Sequence, residues 1–240
     1  MKITDASLTL FAWESIPSTI YGHDTARPTG KSDLGLLRIA TDEGIEGHAF
    51  LGTSSNPASL DGPGLYRYEE ASRVGRAIEE MGFYWYEDDP LAEQDIYNYV
   101  KLKQKLHIPI LATEYPIGGL DSYIPWITER ATDFLRGDVA VKGGITTILK
   151  AAHLAEAFRM NFEVHHGGNS LNNFANLNVI MAIRNTELFE VLLPDSMQKY
   201  GLAEEIAVDP EGFVHAPTEP GLGAAIDFEL IERKKIGVLS

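Results

Sequence analysis

Residues 134–166 read FLRGDVAVKGGITTILKAAHLAEAFRMNFEVHH. Phe134 to Val141 is an apolar and β-branched run, and Gly143-Gly144 opens the helix that follows it. Ile145, Ile148, Leu149, Ala152 and Ala155 then recur at the spacing of a helix with one apolar face, and Phe162 to Val164 begins another short apolar run. Strand, helix and strand within about 30 residues make a parallel crossover unit.

The same alternation extends in both directions. Helices are predicted near Tyr68 to Met81, Leu91 to Leu106, Gly119 to Arg130 and Leu171 to Arg184, and strands at Phe83 to Tyr86, Ile108 to Thr113 and Leu188 to Leu193. This order predicts an α/β fold, a parallel sheet with helices packed outside it. About five such units are visible, where a closed barrel needs eight. An open arc would leave two exposed edges. The first sixty residues instead read as β: Ile3 to Phe11, Leu34 to Thr41 and Ile45 to Leu51, the last two joined by an Asp42-Glu43-Gly44 hairpin turn. Ile16 to Lys31 is a Pro-, Gly- and Thr-rich loop, and the tail from Gly201 reads as a loop-rich closing segment.

Five polar residues keep step with the strands. Glu87, Glu114, Asp138, His166 and Glu190 are separated by 27, 24, 28 and 24 residues, and each closes or follows an apolar run. Parallel strands surface their carboxyl ends at one rim, so these side chains are expected to gather there. Two carboxylates from adjacent strand ends repel unless a cation joins them, and Mg²⁺ prefers oxygen donors. Glu87 and Glu114 are therefore candidate Mg²⁺ ligands, although acidic residues also follow strands as caps and loop residues. Asp61, 26 residues before Glu87, is a candidate third ligand or a plain turn residue.

Asp138 and His166 end neighbouring predicted strands, where a carboxylate can fix an imidazole tautomer and make the histidine a general base. His165 would then point to the opposite face, and with Asn169 in the polar turn Gly167 to Ser170 it is a candidate substrate contact. Glu190 interrupts an apolar strand, which is costly unless it is paired or faces a cavity. It is a candidate acid or oxyanion partner.

Composition narrows the classes. Twenty Lys and Arg against 35 Asp and Glu give a formal charge of −15, which repels phosphate backbones and anionic membranes. With no Cys there is no thiolate ligand or nucleophile. No stretch approaches a membrane span, and a cytoplasmic protein is expected.

The stretches YRYEEASRVGRAIEEMGFYWYEDDP, IPILATE, GDVAVKGGITTILKAAHLAEAF, EVHHGGNSLNNFANL, FEVLLPD and PGLG, in this order, resemble the enolase superfamily, in its mandelate racemase-like branch with many acid-sugar dehydratases. The resemblance implies a partial or complete TIM-type barrel with an N-terminal β-rich capping domain. It implies boundaries at residues 1–60 (capping portion), 61–200 (barrel portion, fourth to eighth strands) and 201–240 (a segment returning to the capping domain). By the same resemblance Glu87 and Glu114 match the second and third metal ligands, Asp138 and His166 an Asp-His dyad, and Glu190 the acidic residue of the eighth strand. Tyr21 and His23 fall in the loop that closes over substrate. Between Leu51 and Tyr66 the first three barrel strands are missing. The implied activity is Mg²⁺-dependent removal of the proton α to a carboxylate with loss of water from a sugar acid. Racemisation or epimerisation of an α-hydroxy acid is the close alternative. A non-catalytic remnant that binds metal or acid sugar is another. A homo-oligomer is expected.

Overall fold

The computed structural model describes residues 1–17, 20–21, 25–26, 30–52, 66–87, 91, 95–114, 118–167 and 170–239. Asp61, His23 and Asn169 lie outside these, and of Tyr21 only the backbone is described. The chain divides into two compact units, Met1–Pro57 with His166–Asn178 and Val191–Ser240, and Ala58–His165 with Val179–Glu190.

The first unit is built on an antiparallel sheet. Strands β1 (Ile3–Glu14), β4 (Lys31–Thr41) and β5 (Glu46–Leu51) line up in the order β5-β4-β1. Between them β2 (Ile20–Tyr21) and β3 (Thr25–Ala26) form a small hairpin within the expected loop. The predicted hairpin turn is present: Gly44, at φ 76°, donates to the Thr41 carbonyl at 3.2 Å, a left-handed conformation that suits glycine. Phe11, Trp13, Leu34, Leu36 and Phe50 fill one face. Tyr200 stacks on Trp13, ring centres 5.4 Å apart, and its hydroxyl donates to the Ala12 carbonyl. Leu171 and Phe174, from the start of α5 (Ser170–Ala182), join the same cluster.

The tail departs from the loop expected. Phe228–Lys234 forms helix α6 and Lys235–Leu239 forms β9, which pairs antiparallel with β1 and extends the sheet. The signal was local: Asp227 caps the helix by accepting from Leu230 N, Glu229 sits in the first turn, and Arg233 and Lys234 sit in the last, matching the helix dipole.

The second unit carries the parallel strands. β6 (Leu111–Ala112), β7 (Phe134–Gly137) and β8 (Phe162–Val164) pair in that order, with Leu135 opposite Phe162. Tyr86 adds a parallel bridge to Ile110 on the β6 side, so the strand predicted at Phe83 to Tyr86 is reduced to a single pairing. Helices α1 (Tyr68–Glu80), α2 (Ile96–Lys105), α3 (Ile124–Thr128) and α4 (Ile145–Ala157) fall within the predicted ones. α4 buries Ile148, Ala151, Ala152 and Ala155, three of them on the stripe read from the sequence.

The strand predicted at Leu188 to Leu193 does not form. The Glu163 carboxylate of β8 accepts from Thr186 Oγ1 at 3.1 Å, Glu187 N at 3.2 Å and Leu188 N at 3.4 Å, taking donors that a strand ladder would use. This tethers the last segment of the unit to β8 by a side chain. The unit's first and last segments also meet, since Tyr84 donates its hydroxyl to Glu187 Oε2 at 2.8 Å. Among the described residues no helix is long and apolar enough to cross a membrane.

Candidate active site

Two turns of local structure aim the carboxylates. β6 ends at Ala112, and Thr113 adopts φ 87°, which is strained for a β-branched residue. Its hydroxyl compensates by accepting from Arg136 N at 2.8 Å and donating to the Arg136 carbonyl at 2.9 Å. The residue after this turn is Glu114, 5% exposed. On the neighbouring segment Trp85 Nε1 donates to Glu87 Oε2 at 2.8 Å and fixes that side chain.

Both carboxylates meet one cation. Arg136 Nε lies 2.8 Å from Glu87 Oε1 and 3.5 Å from Glu114 Oε2, and Arg136 Nη2 pairs with Glu190. Arg136 is 3% exposed. A buried guanidinium requires acceptors for its donors, and its five donors in a rigid fork suit carboxylates. Beside it is a cavity of about 240 Å³ lined by Trp85, Glu87, Arg136, Glu163, Leu188 and Glu190 among others.

The imidazole beside this group is His165. Its Nδ1 lies 3.1 Å from Asp138 Oδ2 and its Nε2 lies 3.0 Å from Glu114 Oε1. Asp138 is held in turn by Ala140 N, which donates to Oδ1 at 2.8 Å. Burial works against a charge on His165, but Glu114, the Asp138 hydrogen bond and Glu190 together outweigh it and raise its pKa to about 9.

The expected Asp138–His166 pair is therefore not the one formed. His165 N still donates to the Gly137 carbonyl at 3.0 Å, one step beyond β8, so His165 continues the alternation and shares a face with Glu163. His166 is buried, at 1% exposure, and groups with the first unit. His166 was the expected partner of Asp138, and the structure brings His165 against that carboxylate instead. The places of Glu87, Glu114, Asp138 and Glu190 in one cluster agree with the strand-end spacing.

Three residues with a part in the geometry were missed: Arg136, Thr113 and Trp85. Arg136 had a legible signal, since it stands two residues before Asp138 in a buried strand and so shares its face. Thr113 had none.

The donor set suits a hard divalent cation. Glu87 and Glu114 are oxygen donors that already converge on a single positive atom. Four carboxylates, Glu87, Glu114, Asp138 and Glu190, against Arg136 and a protonated His165 leave a formal charge of two negatives. Among the described residues no three His, Asp or Glu side chains close around a point as a metal cage. The third expected donor, Asp61, lies outside them.

Known proteins share this architecture. The model of the family described as "Enolase C-terminal domain-like" matches residues 51–230. Arabinonate dehydratase of Saccharolobus solfataricus is 25% identical over 182 residues, covering 74% of this chain and 47% of that protein. The chain thus spans about half the length of the curated relatives it matches. Among solved structures, D-glucarate dehydratase from Agrobacterium tumefaciens complexed with magnesium superposes with a TM-score of 0.82 at 22% identity, covering 98% of this chain and 99% of that one. A putative mandelate racemase/muconate lactonizing enzyme from Pseudovibrio sp. gives 0.84 at 17%, covering 99% and 98%. These structural likenesses bear on the fold, and they agree with the expected α/β barrel type with a β-rich N-terminal portion. The family match covers most of the chain, and the chain belongs to the enolase superfamily, in its mandelate racemase-like branch.

Proposed function

We propose that this chain is a sugar-acid dehydratase that removes the proton α to a carboxylate and eliminates water from the adjacent carbon. The observation that carries the reading is the convergence of Glu87 and Glu114 on one cationic atom, with the His165–Asp138 pair touching the same Glu114. Arabinonate dehydratase and other relatives named as dehydratases support the substrate class. Glu87 and Glu114 would hold Mg²⁺, with Asp61 as the third donor. Bound there, the ion would act as a Lewis acid on the substrate carboxylate. A histidine base working beside Mg²⁺ is an established pattern of enolase-superfamily sites.

The chain's own groups do the rest. Asp138 fixes His165 through Nδ1, which leaves Nε2 as the atom that exchanges a proton at the rim. The α C–H bond breaks with its proton passing to the neutral form of His165, which a divalent ion held by Glu114 would favour by offsetting that carboxylate's charge; the electron pair forms the α,β double bond, and the β C–O bond breaks. The departing hydroxide takes that proton from His165 and leaves as water, which returns the histidine to its neutral form, and the enol product tautomerises to a 2-keto acid. Glu190, held by Arg136, is placed to exchange a proton or hydrogen-bond the substrate. Copies of the chain assemble in this reading, through exposed apolar residues such as Phe83 and Leu188.

The test is a panel of aldonate and aldarate acids scored for 2-keto product, with Mg²⁺ and with EDTA. Product that forms with Mg²⁺ and stops in EDTA is the expected result, and turnover indifferent to EDTA rejects the metal role. Exchange of the α proton with solvent deuterium and no loss of water marks racemisation instead. Binding without either reaction marks a non-catalytic remnant.

A further inference from the structure

Arg136 sits in a strand whose neighbours, Leu135 and Gly137, are buried. Its root is fixed on both sides. The N–H donates to Thr113 Oγ1, and the carbonyl accepts from Thr113 Oγ1 and from Tyr123 Oη, the latter at 3.1 Å. Its tip joins three carboxylates that come from separate segments: Glu87 after the first, Glu114 after β6, and Glu190 in the last. With the guanidinium taken away, three negative groups from three segments would face one another, and like charges disfavour each other's ionised state.

We propose that Arg136 is a positioning residue, a counter-cation built into the fold that sets the separation of Glu87, Glu114 and Glu190 and keeps them assembled whether or not a divalent ion is bound. The part concerning the ion rests on the metal reading above, whereas the part concerning assembly does not. A fixed positive charge among the carboxylates has a second consequence. The guanidinium and a divalent ion draw on the same negative charge, so each is worth less in the presence of the other.

The test measures unfolding midpoints of the full chain and of Arg136→Met, Arg136→Lys, Glu190→Gln and the double variant Arg136→Met with Glu190→Gln, in EDTA and in saturating Mg²⁺. In EDTA, Arg136→Met is expected to lower the midpoint by roughly 10 °C or more, and Arg136→Lys, which keeps the charge, by less. Glu190→Gln is expected to lower the midpoint of the unaltered chain and to raise that of Arg136→Met, because the same carboxylate is a partner in one and an uncompensated charge in the other. A residue that served only to fill space would not produce that reversal. Mg²⁺ is expected to raise the midpoint of Arg136→Met more than that of the unaltered chain.

Glu190→Gln shifting both backgrounds in the same direction overturns the proposal, as does Arg136→Met melting like the unaltered chain in EDTA. Midpoints that ignore Mg²⁺ in every variant, with the reversal intact, reject the metal reading and leave the positioning role standing. If Arg136→Met does not fold, Arg136→Lys takes its place. A smaller loss on adding Glu190→Gln to Arg136→Lys than to the unaltered chain supports the proposal, and an equal loss overturns it.

Discussion

Gly137 lies between Arg136 and Asp138, and an added methyl there would test how β7 presents both. A Cβ at this position would fall inside contact distance of the Tyr123 hydroxyl, 3.0 Å from Ile148 Cδ1 and 3.2 Å from Phe162 Cζ. Tyr123 is fully buried, its hydroxyl donates to the Arg136 carbonyl, and its ring lies 5.7 Å from that of Phe162. Gly137→Ala must therefore displace the ring or the strand. Overpacking of this kind costs about 1–3 kcal/mol, and a buried hydroxyl pulled from its acceptor adds about 1–3 kcal/mol. The sum, about 2–6 kcal/mol, corresponds to a fall in Tm of roughly 4–24 °C for a chain of this size. Tyr123→Phe alone should cost only about 1 kcal/mol, because the Arg136 carbonyl keeps the Thr113 hydroxyl as a donor. Since that change removes the atom that clashes, the double variant should recover about 1–2 kcal/mol of the loss from Gly137→Ala. Urea unfolding followed by tryptophan fluorescence, with all four proteins in one cycle, measures the coupling. Strictly additive losses would refute the packing argument, and so would a Gly137→Ala variant as stable as the unaltered chain.

Other consequences are open to measurement. His165→Asn should lower the turnover number for sugar acids by about 10²–10⁴-fold, while His166→Asn keeps most of the rate; steady-state kinetics showing the reverse order would return the role to His166. Glu163→Ala should leave the Glu187 and Leu188 amides without their acceptor, at about 1–3 kcal/mol, and hydrogen exchange at those two amides should speed up while β7 stays protected. Burial pushes the Glu205 carboxyl up to about 7 against the opposing Ser170 hydrogen bond and Lys199 charge. The folded form thus holds this proton more tightly than the unfolded chain. The stability it confers is fully present below the ordinary carboxylate value and is lost as pH rises through about 7. Glu205→Gln should flatten the stability profile across that window, and an unchanged slope would remove Glu205 from the account.

Two kinds of information separate in this chain. Periodicity is a local property, and it was sufficient for the α4 stripe, the β4–β5 hairpin and the alternation of strands with helices. Spacing added the positions of Glu87, Glu114, Asp138 and Glu190, because parallel strands of similar length bring their ends to one rim. The last predicted strand failed for a reason that periodicity does not carry: a carboxylate on β8 took the donors of residues 187 and 188.

The choice between two adjacent histidines shows the limit at its sharpest. The sequence requires that His165 and His166 diverge, since neighbouring side chains in extended backbone point apart. Which of them faces Asp138 depends on where β8 stops and on its register with β7, set here by the bond from His165 N to the Gly137 carbonyl. The role of Arg136 has the same origin. A charge in an apolar strand announces that it needs a partner, but its partners lie 49, 22 and 54 residues away along the chain, at Glu87, Glu114 and Glu190. Element types and strand-end spacing follow from the amino-acid order by itself, because local backbone and hydrophobic preference set them. Only the tertiary structure decided which histidine and which cation the carboxylates meet, because pairing across segments depends on register and on the cost of burying charge.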